Sequence, residues 1–396
     1  MRTSNRASAV GTVPARYAVD PYGALGLRKF INATCHWTRL GGTLMPEPVL
    51  DAMRAAAHSY VDMAELQKAA GRVIAKHTHA EDGYVVSGCA AALLVGAAAM
   101  LTGKDPARMM QLPDLTGMKS EAIAKRFDRR RAATGTEYIH YGYAHAVKTT
   151  GVRFVEVGDG RSMSEADLRA AFTDRTALLY RGIEEVSGDL PLPRVIEIAH
   201  EHDVPVLVDS SNALPPRENL WRFIDWGADL VAFSGGKGLR GPQGSGILAG
   251  RRELIEAAAM QAAPTQGIGR VAKVSKEEVV GLVAALEWWA AQDDEARLTE
   301  ERRKAQLLAD RIGRLRNGRV ELLYPDHLGR LFATVWVRVD RGSKMTAADL
   351  LKQLYDGDPP IAAMGHSDPR VARFDVRLCE DSEIEAIAAR VREALG

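Results

Sequence analysis

Two residues of this chain have types and spacing suited to amine chemistry, Lys237 and Asp209. Lys237 stands in ADLVAFSGGKGLRGPQGSGIL (228–248), one lysine among six glycines, directly after an apolar, strand-like segment. Asp209 directly follows the near-continuous apolar run Val204–Val208, and Lys237 comes 28 positions later, beyond another strand-like run. Ligands of open α/β sheets bind at the carboxyl ends of strands, so these two side chains are expected to face one crevice.

Pyridoxal 5'-phosphate needs this pair: a lysine for a Schiff base, and an acid that keeps the pyridine nitrogen protonated so that the ring can accept electrons from a substrate Cα. It also needs a phosphate cradle. Ser87-Gly88-Cys89, at a strand-to-helix junction, offers backbone N–H groups at a helix N-terminus, and Ser234 adds a hydroxyl three residues before Lys237. Singly, a strand-terminal aspartate can be a cap and a glycine-flanked lysine a surface turn; in this order they select the cofactor.

The same run contains G-x-G-x-x-G, Gly236 to Gly241. A dinucleotide fingerprint belongs in the first βαβ unit, opens a helix, and has an acidic residue about 20 positions on. Here the match follows the sixth or so strand, leads into a turn and another strand, and position 261 is Gln. The dinucleotide reading is set aside. The pairs His77/His79 and His200/His202 lack partners at ligand spacing, so no metal site is expected.

The elements that must position these residues alternate between short β-rich runs and helical patterns, which indicates an α/β sheet. Strands are expected at 83–87, 138–141, 152–157, 177–180, 204–208, 230–234 and 246–250. Helices are expected at 88–101, 121–134, 164–173, 193–202 and 219–226. The basic runs Lys125-Arg126 and Arg129-Arg130-Arg131 then read as the solvated face of the 121–134 helix. A long helical stretch over 276–316 leads into strands at 320–324 and 331–339, a helix at 347–354, a strand at 374–378 and a helix at 382–395. The expected organisation is an N-terminal tail and active-site segment (1–60), a large cofactor-binding α/β domain (61–270), and a long helix with a small α+β domain (271–396). The first 16 residues read as a loose tail.

The 396 residues are 46% hydrophobic and 26% charged, with a formal net charge of +1. No strong field favours nucleic acid or an anionic membrane. The longest apolar run, 88–101, is too short to span a bilayer. Three cysteines without C-x-x-C spacing fit a reducing cytoplasm.

SGCAAAL, VLVDSS, GADLVAFSGGKGLRGPQGSGIL and GIGRVAKVSKEEVVGL, in that order, resemble fold-type I pyridoxal-phosphate enzymes of the aspartate aminotransferase-like fold. More narrowly, with the opening INATCHWTRLGGTLMPEPVLDAM, the chain is similar to the selenocysteine synthase (L-seryl-tRNA selenium transferase)-like and D-glucosaminate-6-phosphate ammonia-lyase-like group. The resemblance implies a large mixed-sheet domain with a smaller C-terminal α+β domain, and a homodimer or higher homo-oligomer. It makes Lys237 the cofactor lysine and acid/base, Asp209 the ring-nitrogen partner, and Ser87, Gly88, Cys89 and Ser234 the phosphate ligands. It asks for a ring-stacking residue, for which His140 is chosen over His145. Thr38, Arg39 and Arg270 become substrate-side elements, with Arg377 and Arg373 weaker candidates for a carboxylate.

Cys35-His36-Trp37 replaces the glycine common in the group after INAT and alters the expected substrate mouth. A tRNA-dependent transferase would carry an extra N-terminal RNA-binding domain and a basic surface, which this sequence does not show. The expected activity is α,β-elimination on a small polar amino acid, sugar-derived or hydroxylated, of the ammonia-lyase or dehydratase type. The alternatives are a racemase or epimerase, a β-replacement enzyme, the tRNA-dependent selenium transferase and a non-catalytic cofactor-binding protein.

Overall fold

The computed structural model describes residues 19–183, 188–326 and 329–396. The expected loose tail over the first 16 residues lies outside the described residues. Two compact units emerge. One comprises the chain up to Cys35, Arg303–Leu323 and Thr334–Gly396; the other comprises His36–Arg302 and Tyr324–Ala333.

The larger unit is built on a seven-stranded sheet. Its strands are β1 (Asp82–Val86), β2 (Glu121–Lys125), β3 (Arg153–Val157), β4 (Thr176–Gly182), β5 (Val206–Asp209), β6 (Leu230–Ser234) and β7 (Gly246–Gly250). The order is β1-β7-β6-β5-β4-β2-β3. The pairs β3–β2, β2–β4, β4–β5 and β5–β6 are parallel, and β7 runs antiparallel to both neighbours. Parallel strands buried on both faces read as apolar runs without alternation. Val206, Leu207 and Val208 accordingly expose no side chain to solvent. Each contributes about 1.5–3 kcal/mol from burial.

Helices cover both faces. α1 (Glu47–Ala57) and α2 (Met63–Thr78) precede β1; α3 (Cys89–Thr102) follows it; α4 (Leu192–Glu201), α5 (Arg252–Gln261) and α6 (Lys276–Ala290) complete the layers. α3 is apolar around its whole circumference, the pattern of a core helix. Its Gly96 lets it settle on the sheet: a Cβ there would touch Leu207, Leu230 and Leu248, each at 3.3 Å. α6 starts at a capping box in which Glu278 N–H donates to Ser275 Oγ (3.2 Å) and Ser275 N–H donates to Glu278 Oε2 (2.9 Å).

The helix expected over 121–134 is not formed. Residues 121–125 are β2 near the middle of the sheet, and 128–131 pair with 137–140 in a two-stranded antiparallel ribbon. Glu121, Ala122, Ile123 and Ala124 are all buried, so the tertiary environment overrides their helix propensity. Lys125-Arg126 therefore ends a parallel strand, and Arg129-Arg130-Arg131 lies on the ribbon. The stretch expected as one helix over 276–316 breaks after Ala290, and α7 (Asp294–Ile312) follows.

The units divide at 35/36 and inside α7 at 302/303, whereas the sequence placed its boundaries at 60/61 and 270/271. The physical reason is α6, whose Val279, Leu282, Ala285, Leu286 and Trp289 are buried and which packs on α1 and α2. The smaller unit carries a four-stranded antiparallel sheet of β8 (Gly318–Leu323), β9 (Thr334–Val339), β10 (Met364–Gly365) and β11 (Val371–Phe374), in the order β8-β9-β11-β10. α8 (Ala347–Asp356) and α9 (Asp381–Leu395) accompany it. The strand expected at 374–378 ends at Phe374.

Candidate active site

The carboxyl ends of β2, β4 and β5 border a cavity of about 580 Å³. Lys237 and Asp209 both line it, together with His140, Tyr143, Tyr180, Asn212 and several cationic side chains. Asp209 is the last residue of β5, opposite Gly182 of β4 and Ala232 of β6. Lys237 follows β6 in a tight turn, where Gly236 and Gly238 are pressed against neighbouring residues. A Cβ at 236 would fall 2.5 Å from Gln243 Cα, and one at 238 would fall 2.6 Å from the Leu214 carbonyl oxygen.

Asp209 is buried and held by three donors. Tyr180 Oη donates to Oδ2 at 3.0 Å, Ser211 N–H donates to Oδ1 at 3.0 Å, and Cys89 Sγ lies 3.7 Å from Oδ1. Burial pushes the Cys89 thiol far above its ordinary pKa and the Asp209 charge adds to this, so the thiol keeps its proton. Burial lowers the Lys237 pKa, the Asp209 charge opposes this, and Arg330 assists it. A lysine displaced in this direction holds more of the neutral amine that a Schiff base or a general base requires. Its Nζ lies 5.4 Å from the centre of the Tyr143 ring.

The N-terminus of α3 leaves its first amides open. Gly88, at φ +93°, turns the chain into the helix without a side-chain cap, and the first amides have no intrahelical acceptor. Gly246 of β7 underlies this turn. Ser234 closes β6 opposite Gly246 and is half-buried. Ser87 Oγ donates to the Ala272 carbonyl at 2.9 Å, so its hydroxyl proton is already engaged.

The other expected residues fall as follows. His140 ends the ribbon and lines the cavity; His145 packs edge-on against Tyr141, with ring centres 6.0 Å apart. Thr38 and Arg39 form an exposed 3-10 turn, with the Arg39 guanidinium 5.7 Å from the Trp37 ring centre. Arg270 closes a turn on the Gly267 carbonyl. None of these three lines the cavity. Arg377 belongs to the smaller unit, where it is buried against Asp375, Nε to Oδ1 at 2.9 Å and Nη2 to Oδ2 at 2.8 Å. That pair is interior. Arg373 donates to the Gly365 carbonyl from Nε at 3.2 Å.

Sequence reasoning missed the cationic wall of the cavity: Lys125, Arg126, Arg130, Arg181 and Arg330. Lys125 Nζ (2.7 Å) and an Arg181 guanidinium nitrogen (2.6 Å) share Asp189 Oδ2. Arg126 is exposed and forms no ion pair among the described residues. A strand assignment for 121–125 would have put Lys125-Arg126 at a carboxyl end and flagged them. Tyr180 and Asn212 carried no spacing signal.

The aminotransferase class-V family model matches residues 142–354. A D-glucosaminate-6-phosphate ammonia lyase of Salmonella typhimurium is 31% identical over 379 residues, covering 94% of this chain and 97% of its own. The chain belongs to the aminotransferase class-V family. It is also 32% identical over 348 residues to a 5'-C-glycyluridine monooxygenase-decarboxylase of a Streptomyces species, covering 86% of this chain and 83% of that protein. A solved structure of a D-glucosaminate-6-phosphate ammonia-lyase superposes with a TM-score of 0.78 at 30% identity, covering 94% of this chain and 97% of that one.

Members of the family use pyridoxal 5'-phosphate, and the fold is the fold-type I architecture expected from the sequence. The residues present fit that cofactor: a buried carboxylate and a depressed lysine on one cavity, beside an uncapped helix N-terminus resting on a glycine. Among the described residues no helix is long and apolar enough to cross a membrane, and no cluster of metal-ligating side chains occurs.

Proposed function

We propose that this protein is a pyridoxal-phosphate-dependent lyase. It would catalyse α,β-elimination on a hydroxylated amino acid that carries a second anionic group. The observation that carries the reading is that Lys237 and Asp209 line one cavity together with five further cationic side chains.

When bound, the cofactor supplies an electron sink for the pair left at Cα. Asp209, with one acceptor position of its carboxylate open among the described residues, would hold the proton of the ring nitrogen. Lys237 would hold the cofactor covalently, and its free Nζ would be the base for the substrate Cα proton. The C–O bond at Cβ then breaks, and the proton on Nζ passes to the departing oxygen, so that water leaves. The product departs as an enamine, which hydrolyses to a keto acid and ammonia. The amides at the start of α3, with Ser87, Gly88, Cys89 and Ser234, would hold the cofactor phosphate. His140 and Tyr143, which line the cavity, would be the rings to pack against the pyridine.

The cationic wall supports the second anion. Arg126 has no carboxylate partner among the described residues, and two cations share Asp189, so the described part of the wall retains positive charge for a phosphate or carboxylate remote from the amine. Thr38, Arg39 and Arg270 of the same unit stay as candidates for the α-carboxylate. Three free cysteines support a cytoplasmic setting. The exposed Trp37, Leu44, Tyr60, Val61 and Val271 of the larger unit support a homo-oligomer.

The test is a panel of hydroxylated amino acids, with and without a phosphate, incubated with cofactor-loaded protein. Ammonia and keto acid in equal amounts, lost in Lys237→Ala, are the expected result. Solvent deuterium at Cα without net product would instead indicate a racemase, and carbon dioxide release with oxygen uptake an oxidative decarboxylase.

A further inference from the structure

Asp209 was expected from the sequence as a lone acid at a strand end. In the structure it is the centre of a cluster that leaves little freedom to its carboxylate. Each carboxylate oxygen offers two lone pairs. Oδ1 uses both, one toward Ser211 N–H at 3.0 Å and one toward the Cys89 thiol at 3.7 Å. Oδ2 uses one, for Tyr180 Oη at 3.0 Å. Among the described residues no other donor reaches it, so one acceptor position remains, on Oδ2.

The three donors come from three elements. Cys89 is the first residue of α3, Tyr180 lies near the end of β4, and Ser211 follows β5. Side-chain torsions at a terminal sp² carboxylate are broad, so an aspartate without such contacts rotates freely about its last bond. Donors on both oxygens remove that rotation. The Tyr180 ring, 9% exposed and 6.4 Å centre-to-centre from Phe154, is itself fixed by packing.

We propose that Tyr180 and Cys89 are positioning residues that act through Asp209, orienting its one open lone pair toward the ring nitrogen of the cofactor. This rests on the pyridoxal-phosphate reading above. Neither residue needs to touch substrate. The hydroxyl fixes Oδ2, and the thiol, a weak donor, completes Oδ1 without drawing off as much of the carboxylate charge as a hydroxyl would.

The experiment uses apoprotein titrated with pyridoxal 5'-phosphate, and cofactor labelled with ¹⁵N in the ring. Tyr180→Phe and Cys89→Ala are made in the wild-type and Asp209→Ala backgrounds. Each single change is expected to raise the cofactor dissociation constant about three- to tenfold and to move the ring ¹⁵N shift toward that of unprotonated pyridine. In the Asp209→Ala background the same changes are expected to move the constant by less than about twofold, because interaction through a shared partner is non-additive. Wild-type affinity and ¹⁵N shift in both single variants would overturn the proposal. So would an undiminished loss of affinity in the Asp209→Ala background, which would mean plain packing. If wild-type protein takes up no cofactor at Lys237, as read by borohydride trapping and peptide mass, the underlying reading falls, and this inference with it.

Discussion

Gly246 of β7 lies so close to Gly88 that a Cβ at position 246 would sit 2.5 Å from the Gly88 carbonyl carbon and 2.8 Å from the Cys89 nitrogen. The antiparallel strand therefore forms the floor of the anion-accepting turn, and only a hydrogen at 246 lets the helix start rest there. Gly246→Ala has no flexible side chain to displace; the backbone itself must move. The expected cost is about 1–3 kcal/mol of stability, typical of overpacking. Cofactor affinity should fall by about tenfold or more, since a hydrogen bond to a charged group contributes about 1.5–3 kcal/mol. Thermal unfolding and cofactor titration of the variant check both figures.

Burial is the chief cause that holds the Lys237 pKa below its ordinary value, and this makes the stability of the cofactor-free protein depend on pH. Its folded pKa lies below the unfolded value, so the unfolded chain binds the extra proton between the two. The contribution of Lys237 to stability is then complete above the unfolded value and falls away as pH drops through the folded one. Lys237→Met should therefore stabilise apoprotein at neutral pH, by about 0.5–2 kcal/mol as for other relieved active-site residues. The gain should vanish above about pH 10.4, the unperturbed lysine value. Denaturant unfolding of both apoproteins across pH 6 to 11 measures the difference, and a gain that does not depend on pH would point to packing instead.

The central residues of this site were legible because their signals are local. Val206-Leu207-Val208 followed by Asp209, and one lysine among glycines after Leu230–Ser234, each announce a strand end. The cationic wall was not legible, because Glu121–Lys125 has the composition of a helix and becomes a strand only through burial between β3 and β4. Misassigning that strand hid Lys125 and Arg126 on a supposed solvated face. The Tyr180–Asp209 contact depends on the register of β4 against β5, which no spacing in one chain reveals. The division between units rests on packing of the same non-local kind, since α6 buries its apolar face on α1 and α2.

Asp189 joins Lys125 and Arg181 in a buried three-membered ion cluster, with side chains of Asp189 and Arg181 only 2% and 4% exposed. Burial alone would push the Asp189 carboxyl upward; hydrogen bonding from Lys125, the Arg181 charge and the Met163 N–H outweigh it and hold it below the usual carboxylate range. A depressed acid stabilises the fold fully above its unfolded pKa and loses that contribution as pH falls through the folded value. Asp189→Asn leaves two cations without their shared counter-charge and is expected to cost about 3–5 kcal/mol at pH 7. The difference between variant and wild type should shrink steadily below about pH 3.9, the ordinary aspartate value. Urea unfolding at pH 7, 5 and 3 provides the measurement, and a gap that persists undiminished at the lowest pH would contradict the assignment of charge to Asp189.

Arg126 separates binding from folding most cleanly. It is exposed at the rim of the cavity, without an ion pair among the described residues, so no described contact of the fold depends on its charge. Arg126→Ala should leave stability within about 0.5 kcal/mol, as for other surface changes. If the substrate carries a second anion, the same change removes a charge-assisted contact made equally in ground and transition states, so KM rises with kcat nearly unchanged. A rise of about tenfold corresponds to 1.4 kcal/mol, within the range for a partly solvated guanidinium–phosphate contact. Because the contact is at the rim, the wild-type KM should climb with added salt while that of the variant does not. A substrate analogue without the second anion should be handled alike by both proteins. Equal loss on both substrates would place Arg126 at the amino-acid end instead, and would leave the remaining cations of the wall to account for any second anion.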